Sequence, residues 1–252
     1  MARTAKRIMA ELKNLASIRD ELIGEHGIHF YTDDTNIHEV WFYIEGRENT
    51  PYFGGSYLFQ ATYPETNYPN EPFKLSFWTR KAEWRCHPNF YTSGKVCLSS
   101  INTFGSEDWS PCRTLRGEII NIAARLDEHP IRYEPSFETT NNPRYNKYVA
   151  HGNFLYGIVG MIQGGLSATA TASVIPMRTA FRPIMIERFK TLMAQGKLKE
   201  AALKWAAAPN QGAIIYNGTG PSSGPVQTAE HFNQCIQKME ELYSSLTSLQ
   251  SQ

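Results

Sequence analysis

CHPNFYTSGKVCLSSINTFGSEDW, residues 86–109, is the stretch on which the reading of this chain turns. It places a His87-Pro88-Asn89 tripeptide, a Ser93-Gly94-Lys95 turn and a cysteine between Val96 and Leu98 in a run with neither a helix nor a strand period. Coil of this length inside a compact domain is uncommon unless it is functional or disordered. Its aromatic and aliphatic content is too high for disorder. The stretch is therefore expected to be a packed, irregular active-site segment with Cys97 as its reactive group.

The flanking sequence is regular. Upstream, residues 38–45, 56–63 and 73–79 have the period and the β-branched or aromatic content of strands, and a weaker run covers residues 28–31. The turns between them are short and rich in Gly, Asn and Pro, as in Thr50-Pro51-Tyr52-Phe53-Gly54-Gly55 and in the loop with Pro64, Pro69 and Pro72. Such connections favour a four-stranded antiparallel meander over a parallel sheet, which needs crossover helices. Before them, Ile8, Leu12, Leu15, Ile18 and Leu22 mark one face of a helix over residues 3–23, with Gly24 as its stop. Arg3, Lys6, Arg7 and Lys13 lie on its other face, either as a solvated surface or as a docking site for an acidic partner.

Downstream, residues 114–126 carry Leu115, Ile119, Ile122, Ala123 and Leu126 at helical spacing, and residues 144–161 are helical in pattern. Residues 164–183 turn to Gly, Ala, Ser and Thr and read as a linker or crossing segment. Helices are expected over residues 185–207 and 228–249, the second with Phe232, Ile236, Met239, Tyr243 and Leu246 on one face. The expected class is α+β, with a core over residues 1–163, the linker over 164–183 and a helical C-terminal extension over 184–252.

Composition narrows the function. The 252 residues carry a formal net charge of +1, which is not the footprint of a nucleic-acid binder. The N-terminus lacks an apolar signal core and no run approaches a membrane span, so a protein of the cytoplasm or nucleus is expected, with no membrane partner. Cys86, Cys97, Cys112 and Cys235 form no CxxC pair and lack structural zinc spacings, so no metal is expected and the thiols read as reduced. The glycine-rich residues 217–224 follow no strand and end in no Gly-Lys-Ser/Thr, which argues against a phosphate loop.

A cysteine flanked by Val96 and Leu98 is most simply a small buried hydrophobe. Against that stand the close backbone approach allowed by Gly94, the cation of Lys95 and the amide of Asn89. Acyl transfer through a thiol needs a group that can become a thiolate and a donor for the tetrahedral oxyanion. Asn89 can be that donor. A papain-like hydrolase would need a different neighbourhood around its cysteine and a His partner that is not evident here.

Taken in order, Thr50 to Gly55, Tyr68-Pro69, His87-Pro88-Asn89-Phe90-Tyr91, Gly94-Lys95-Val96-Cys97-Leu98-Ser99 and Trp109-Ser110-Pro111 resemble the core of ubiquitin-conjugating enzymes. The long interval between Cys97 and Trp109, and the EHPIRYEPSFE run from Glu128, resemble the Z-type enzyme and the conjugating domain of the inhibitor-of-apoptosis protein BRUCE. The resemblance covers residues 1–163. It implies that Cys97 accepts ubiquitin, or a ubiquitin-like modifier, as a thioester from an activating enzyme and passes it to a lysine of a protein substrate. No cofactor is implied, because ATP is used by the activating enzyme. Asn89 would stabilise the oxyanion or hold the loop, His87 and Pro88 would shape it, and Glu134 would orient the incoming lysine, with Asp127 and Glu138 as alternatives. Partner contacts with the activating enzyme and a ubiquitin ligase would fall on Arg3, Lys6 and Arg7, on Asn70, and on Ser110, Pro111 and Cys112. Asn70 stands where many members carry an apolar anchor and Cys112 where they carry alanine, which points to a specialised partner. A non-catalytic ubiquitin- or ligase-binding scaffold is the remaining alternative, and the presence of both Cys97 and Asn89 argues against it.

Overall fold

The computed structural model describes residues 2–105, 108–135, 142–164, 174–212, 214–215, 221–222 and 226–248. Two helices, α1 (Ala2–Ser17) and α2 (Arg19–His26), precede the strands β1 (Ile28–Asp33), β2 (Asn36–Glu45), β3 (Ser56–Thr62) and β4 (Lys74–Phe77). The strands form one antiparallel sheet in sequence order, the meander expected. The N-terminal helix is broken at Ile18 and does not stop at Gly24. It ends at Gly27, whose φ of +63 lets its N–H reach back to Ile23 and whose carbonyl already accepts from Glu45 of β2.

Register decides how the sheet is buried. Val40, Phe42 and Ile44 of β2 face the same way as Phe59 and Ala61 of β3 and Leu75 and Phe77 of β4, and join a core with Ile8, Leu15 and Leu22. α3 (Leu115–Arg125) closes that core through Leu115, Ile119 and Ile122, with Thr114 as its N-cap accepting from Gly117. Phe90, from the irregular segment, packs edge-on against Phe59 at 5.1 Å, which seats that segment on the sheet.

The opposite face of the sheet is equally apolar. Trp41, Tyr43 and Leu58 belong to a second core built with the C-terminal helices. α4 (Pro143–Gly152) runs on through a π-helical stretch, Asn153–Gly160, and a last turn, α5 (Met161–Gln163). α6 (Val174–Ala194), α7 (Lys197–Ala207) and α8 (Ala229–Ser248) follow, with a short pair β5 (Ile214–Ile215) and β6 (Pro221–Ser222) between the last two. Phe181, Met185, Phe189 and Leu192 form the buried stripe of α6, and Phe181 meets the Tyr43 ring at 5.1 Å. Arg188 pairs with Glu45 at 2.9 Å and donates to the carbonyl of Gly46. Lys147 of α4 donates to the carbonyls of Ala206 and Ala208 at 2.9 and 2.7 Å, closing the end of α7.

The helical extension is thus seated on the sheet. The crossing segment expected over 164–183 is shorter than the composition suggests, because α6 starts at Val174 and holds Pro183 inside it. The stripe from Phe181 to Leu192 that follows is buried in the second core. Residues 165–173 lie outside the described ones. The single helix expected over 185–207 is two, divided at Gly196. Among the described residues no helix is long and apolar enough to cross a membrane.

Candidate active site

The described residues of 86–109 run beside the edge strand β4, where Ser76 pairs with Lys95, and form no helix or strand apart from a 3-10 turn at Ser99–Ile101. Their entry is held by tyrosine hydroxyls. Tyr52 donates to the Cys86 carbonyl at 2.9 Å, and Tyr145 of α4 donates to that of Arg85 at 3.1 Å. Arg85 is buried, donates to the Pro88 carbonyl at 2.6 Å and lies 4.0 Å from the Tyr91 ring centroid. Burial pushes the Cys86 thiol well up, so it is an inert protonated packing group.

His87 is fully buried between Phe90, at 4.5 Å, and Tyr133, at 5.0 Å. Its Nδ1 accepts from the Asn89 backbone N–H at 3.0 Å, which puts the ring proton on Nε2. Burial, followed by the nearby guanidinium of Arg125, holds its pKa far below the usual imidazole range. The ring therefore stays neutral and shapes the turn.

The turn before the cysteine needs its glycine. Gly94 has φ +95 and gives its carbonyl to Phe77 of β4, and a Cβ there would stand 3.2 Å from the Phe77 carbonyl oxygen. Lys95 is exposed. Cys97 follows, 5% exposed, and is gripped twice by Asn89. The Cys97 N–H donates to the Asn89 carbonyl at 2.8 Å, and the Asn89 side-chain Nδ2 donates to the Cys97 carbonyl at 2.8 Å. The Cys97 thiol donates to the Thr103 carbonyl at 3.4 Å. Thr103 is fixed in turn, its Oγ1 accepting from the Leu98 N–H at 2.8 Å and donating to the Leu98 carbonyl at 3.0 Å.

The enlarged loop is tied back at both ends. Ser100 donates to the buried Glu118 of α3 at 2.7 Å, and the Trp109 N–H donates to the Asn102 side chain at 2.9 Å. The Trp109 indole reaches the Pro69 carbonyl at 2.9 Å. Phe104, at its tip, is half exposed. Ser106 and Glu107 lie outside the described residues.

On the far side of Asn89 stands Arg125, the last residue of α3, which donates to Asn89 Oδ1 at 3.2 Å and lies 4.8 Å from the Tyr133 ring centroid. Sequence reading missed it, because an arginine closing a helix looks like a cation favourable to the helix dipole. The acidic candidates separate clearly. Asp127 accepts from the Tyr133 hydroxyl at 2.8 Å, from Arg132 at 2.6 Å and from the His129 N–H at 2.7 Å, so both its oxygens are engaged. Glu134 caps the 3-10 turn Pro130–Tyr133 with its backbone, and its carboxylate has no hydrogen-bond partner among the described residues. Glu138 lies outside them.

The partner-facing candidates meet on one side. Arg3 and Lys6 are exposed on α1, whereas Arg7 is half buried, paired with Glu11 at 2.7 Å and donating to the Arg113 carbonyl at 3.1 Å. Glu11 is a buried hub that also accepts from the Tyr63 and Tyr68 hydroxyls and from the Leu115 N–H. Asn70, Pro111 and Cys112 are exposed, and Ser110 is half buried with its hydroxyl accepting from the Cys112 N–H. Among the described residues one group of three ligand-type side chains converges, Glu21, Glu25 and His26 of α2, and it holds none of the cysteines.

The fold is thus a helix on a four-stranded meander, followed by a pinned coil that brings one cysteine against an asparagine. The ubiquitin-conjugating enzyme family model matches residues 7–150, and the chain belongs to that family. Within it the chain stands close to the Z-type: Ubiquitin-conjugating enzyme E2 Z of Danio rerio is 34% identical over 140 residues, spanning 54% of this chain and 42% of the relative. The Homo sapiens protein of that name is 34% identical over 137 residues, spanning 52% and 38%. A solved ubiquitin conjugating enzyme E2 from Plasmodium falciparum is 26% identical, covers 48% of this chain and 96% of its own, and has a TM-score of 0.40. The chain thus matches about two fifths of the length of the Z-type relatives.

Proposed function

We propose that this chain carries ubiquitin or a ubiquitin-like modifier on Cys97 and transfers it to lysine. The observation that supports this most is the double grip of Asn89 on Cys97, which leaves a second amide N–H of Asn89 beside the acyl-bearing residue. In the first step the Cys97 thiolate attacks the thioester carbonyl of the modifier on an activating enzyme. The new C–S bond forms as the activating enzyme's thiolate leaves. In the second step a lysine amine attacks that carbonyl, the C–N bond forms, and Cys97 leaves as thiolate. Asn89 donates to the tetrahedral oxyanion. Glu134, whose carboxylate is uncommitted among the described residues, orients the amine and helps take its proton, since a lysine with pKa near ~10.4 must lose one to attack.

The chain itself uses no ATP and no cofactor. The side formed by α1, the Tyr68-Pro69 loop and residues 110–113 receives the activating enzyme and any ligase, and Asn70 and Cys112 make that partner a specialised one. Substrate lysines approach from the Glu134 side, in the cytoplasm or nucleus.

Incubation with activating enzyme, ATP and ubiquitin tests this reading. A thiol-sensitive adduct is expected at Cys97, becoming a thiol-resistant ester in Cys97→Ser. Absence of charging with ubiquitin and with every ubiquitin-like modifier offered overturns it.

A further inference from the structure

We propose that Arg125 is a positioning residue that sets which edge of the Asn89 amide faces Cys97. This rests on the transfer reaction above and adds to it a residue with no assigned part. An asparagine side chain is nearly symmetrical in shape, and its oxygen and nitrogen edges exchange by a half-turn. Only one of the two orientations presents a donor to an oxyanion. Arginine removes the ambiguity, because a guanidinium has donors and no acceptor. With Nη1 of Arg125 3.2 Å from Oδ1, the Nδ2 edge is turned to the Cys97 carbonyl at 2.8 Å. The flipped amide would set N–H groups against the guanidinium and an oxygen against the Cys97 carbonyl, two repulsive contacts in place of two hydrogen bonds. The cation also polarises the amide and strengthens its N–H donors.

The guanidinium is itself held in place. Its Cζ lies over Tyr133, 4.8 Å from the ring centroid, and the Tyr133 hydroxyl donates to Asp127, which also accepts from Arg132 and the His129 N–H. A connected row, Asp127 to Tyr133 to Arg125 to Asn89, therefore runs from the end of α3 to the nucleophile. Each member is short of freedom to reorient because its neighbour fixes it, which is what a pre-organised donor requires.

The test uses the full chain with Arg125→Met, which keeps the stem and removes the donors, and Arg125→Lys, which keeps a donor. Both are made in the parent and in Asn89→Ala. Charging of Cys97 and single-turnover discharge of the preformed thioester to free lysine are read separately. Arg125→Met is expected to slow discharge about tenfold with charging within about twofold of the parent. Arg125→Lys is expected to recover most of the loss, and Arg125→Met is expected to add nothing in Asn89→Ala. Unchanged discharge, an equal loss in the Asn89→Ala background, or a matching fall in charging with no recovery by lysine overturns the assignment. The side-chain amide signals of Asn89 in nitrogen-15 NMR give a readout that needs no modifier: they are expected to shift in Arg125→Met, and unmoved signals overturn the assignment. If no modifier charges Cys97, the transfer reading fails while this measurement still decides whether Arg125 orients Asn89.

Discussion

The segment over residues 86–109 and the stripe of α6 are both packed on the same sheet, yet they are held by different forces. The segment has little regular structure and is fastened by directed bonds, from Tyr52, Tyr145, Asn89, Thr103 and Ser100 to particular carbonyls, amides and carboxylates. α6 is regular and held mainly by apolar area, from Phe181, Met185, Phe189 and Leu192. Directed bonds fix positions to a fraction of an ångström, whereas burial fixes an element with little regard to the placement of any one atom. The difference predicts that changes in the segment are felt in chemistry and changes in α6 in stability.

The largest effect expected tests the second half of that statement. Phe181→Ala removes a buried ring against Tyr43 and should cost about 4 kcal/mol of unfolding free energy. Denaturant titration measures it, and charging per folded molecule should be unchanged. A fall in charging under conditions where the variant is folded would show that the extension reaches the site and would break the comparison.

Acid probes the helical side next. His151 of α4 is packed against Phe232 of α8, and burial, with His231 and Lys238 nearby, lowers its pKa to about 4. The unfolded chain binds its proton near ~6.5, so this contribution to stability is complete above that pH and is lost as pH falls towards the folded value. The loss should reach about 3 kcal/mol. Melting temperatures at neutral and acid pH should differ by less in His151→Phe than in the parent. His87 acts in the same direction, so part of the acid sensitivity should remain. If the variant melts with the full pH dependence of the parent, the histidine is not the group that loosens α8.

The smallest effect on the ledger of free energy is the most specific. Asn89→Ala should slow lysine discharge about a hundredfold, equivalent to about 2.7 kcal/mol of barrier. Its loss of melting temperature should be smaller than that of Phe181→Ala. A variant that melts far below Phe181→Ala and discharges normally would reverse the roles given to the two regions.

Much of this was legible in the residues. The segment announced itself by lacking any period, and the four strands by their composition and short turns. The second apolar face of the sheet was also written in the chain, because Val40-Trp41-Phe42-Tyr43-Ile44 is a continuous apolar run of the kind found in strands covered on both sides. A period-two reading of residues 38–45 does not by itself say that both faces are covered, which hides the docking site of the extension. The start of α6 is obscured for another reason: Pro176 and Pro183 read as helix breakers, although the helix runs from Val174 through Pro183. Arg125 and Glu11 were invisible for a different one. Each is a charged residue on an amphipathic helix, and only the fold brings the Asn89 amide to the first and two tyrosines and a helix N-terminus to the second. Asp127 and Glu134 look alike in the sequence, and it is the fold that gives Asp127 its three donors.

The covered second face also bears on what counts as the unit of this protein. The family match ends at residue 150, but Trp41, Tyr43 and Leu58 are sheltered by side chains that come later, among them Phe181 and Phe189. A fragment cut to the family boundary would bare a broad aromatic surface to water and invite self-association. The piece of sequence that the family match spans is shorter than the piece that covers both faces of the sheet.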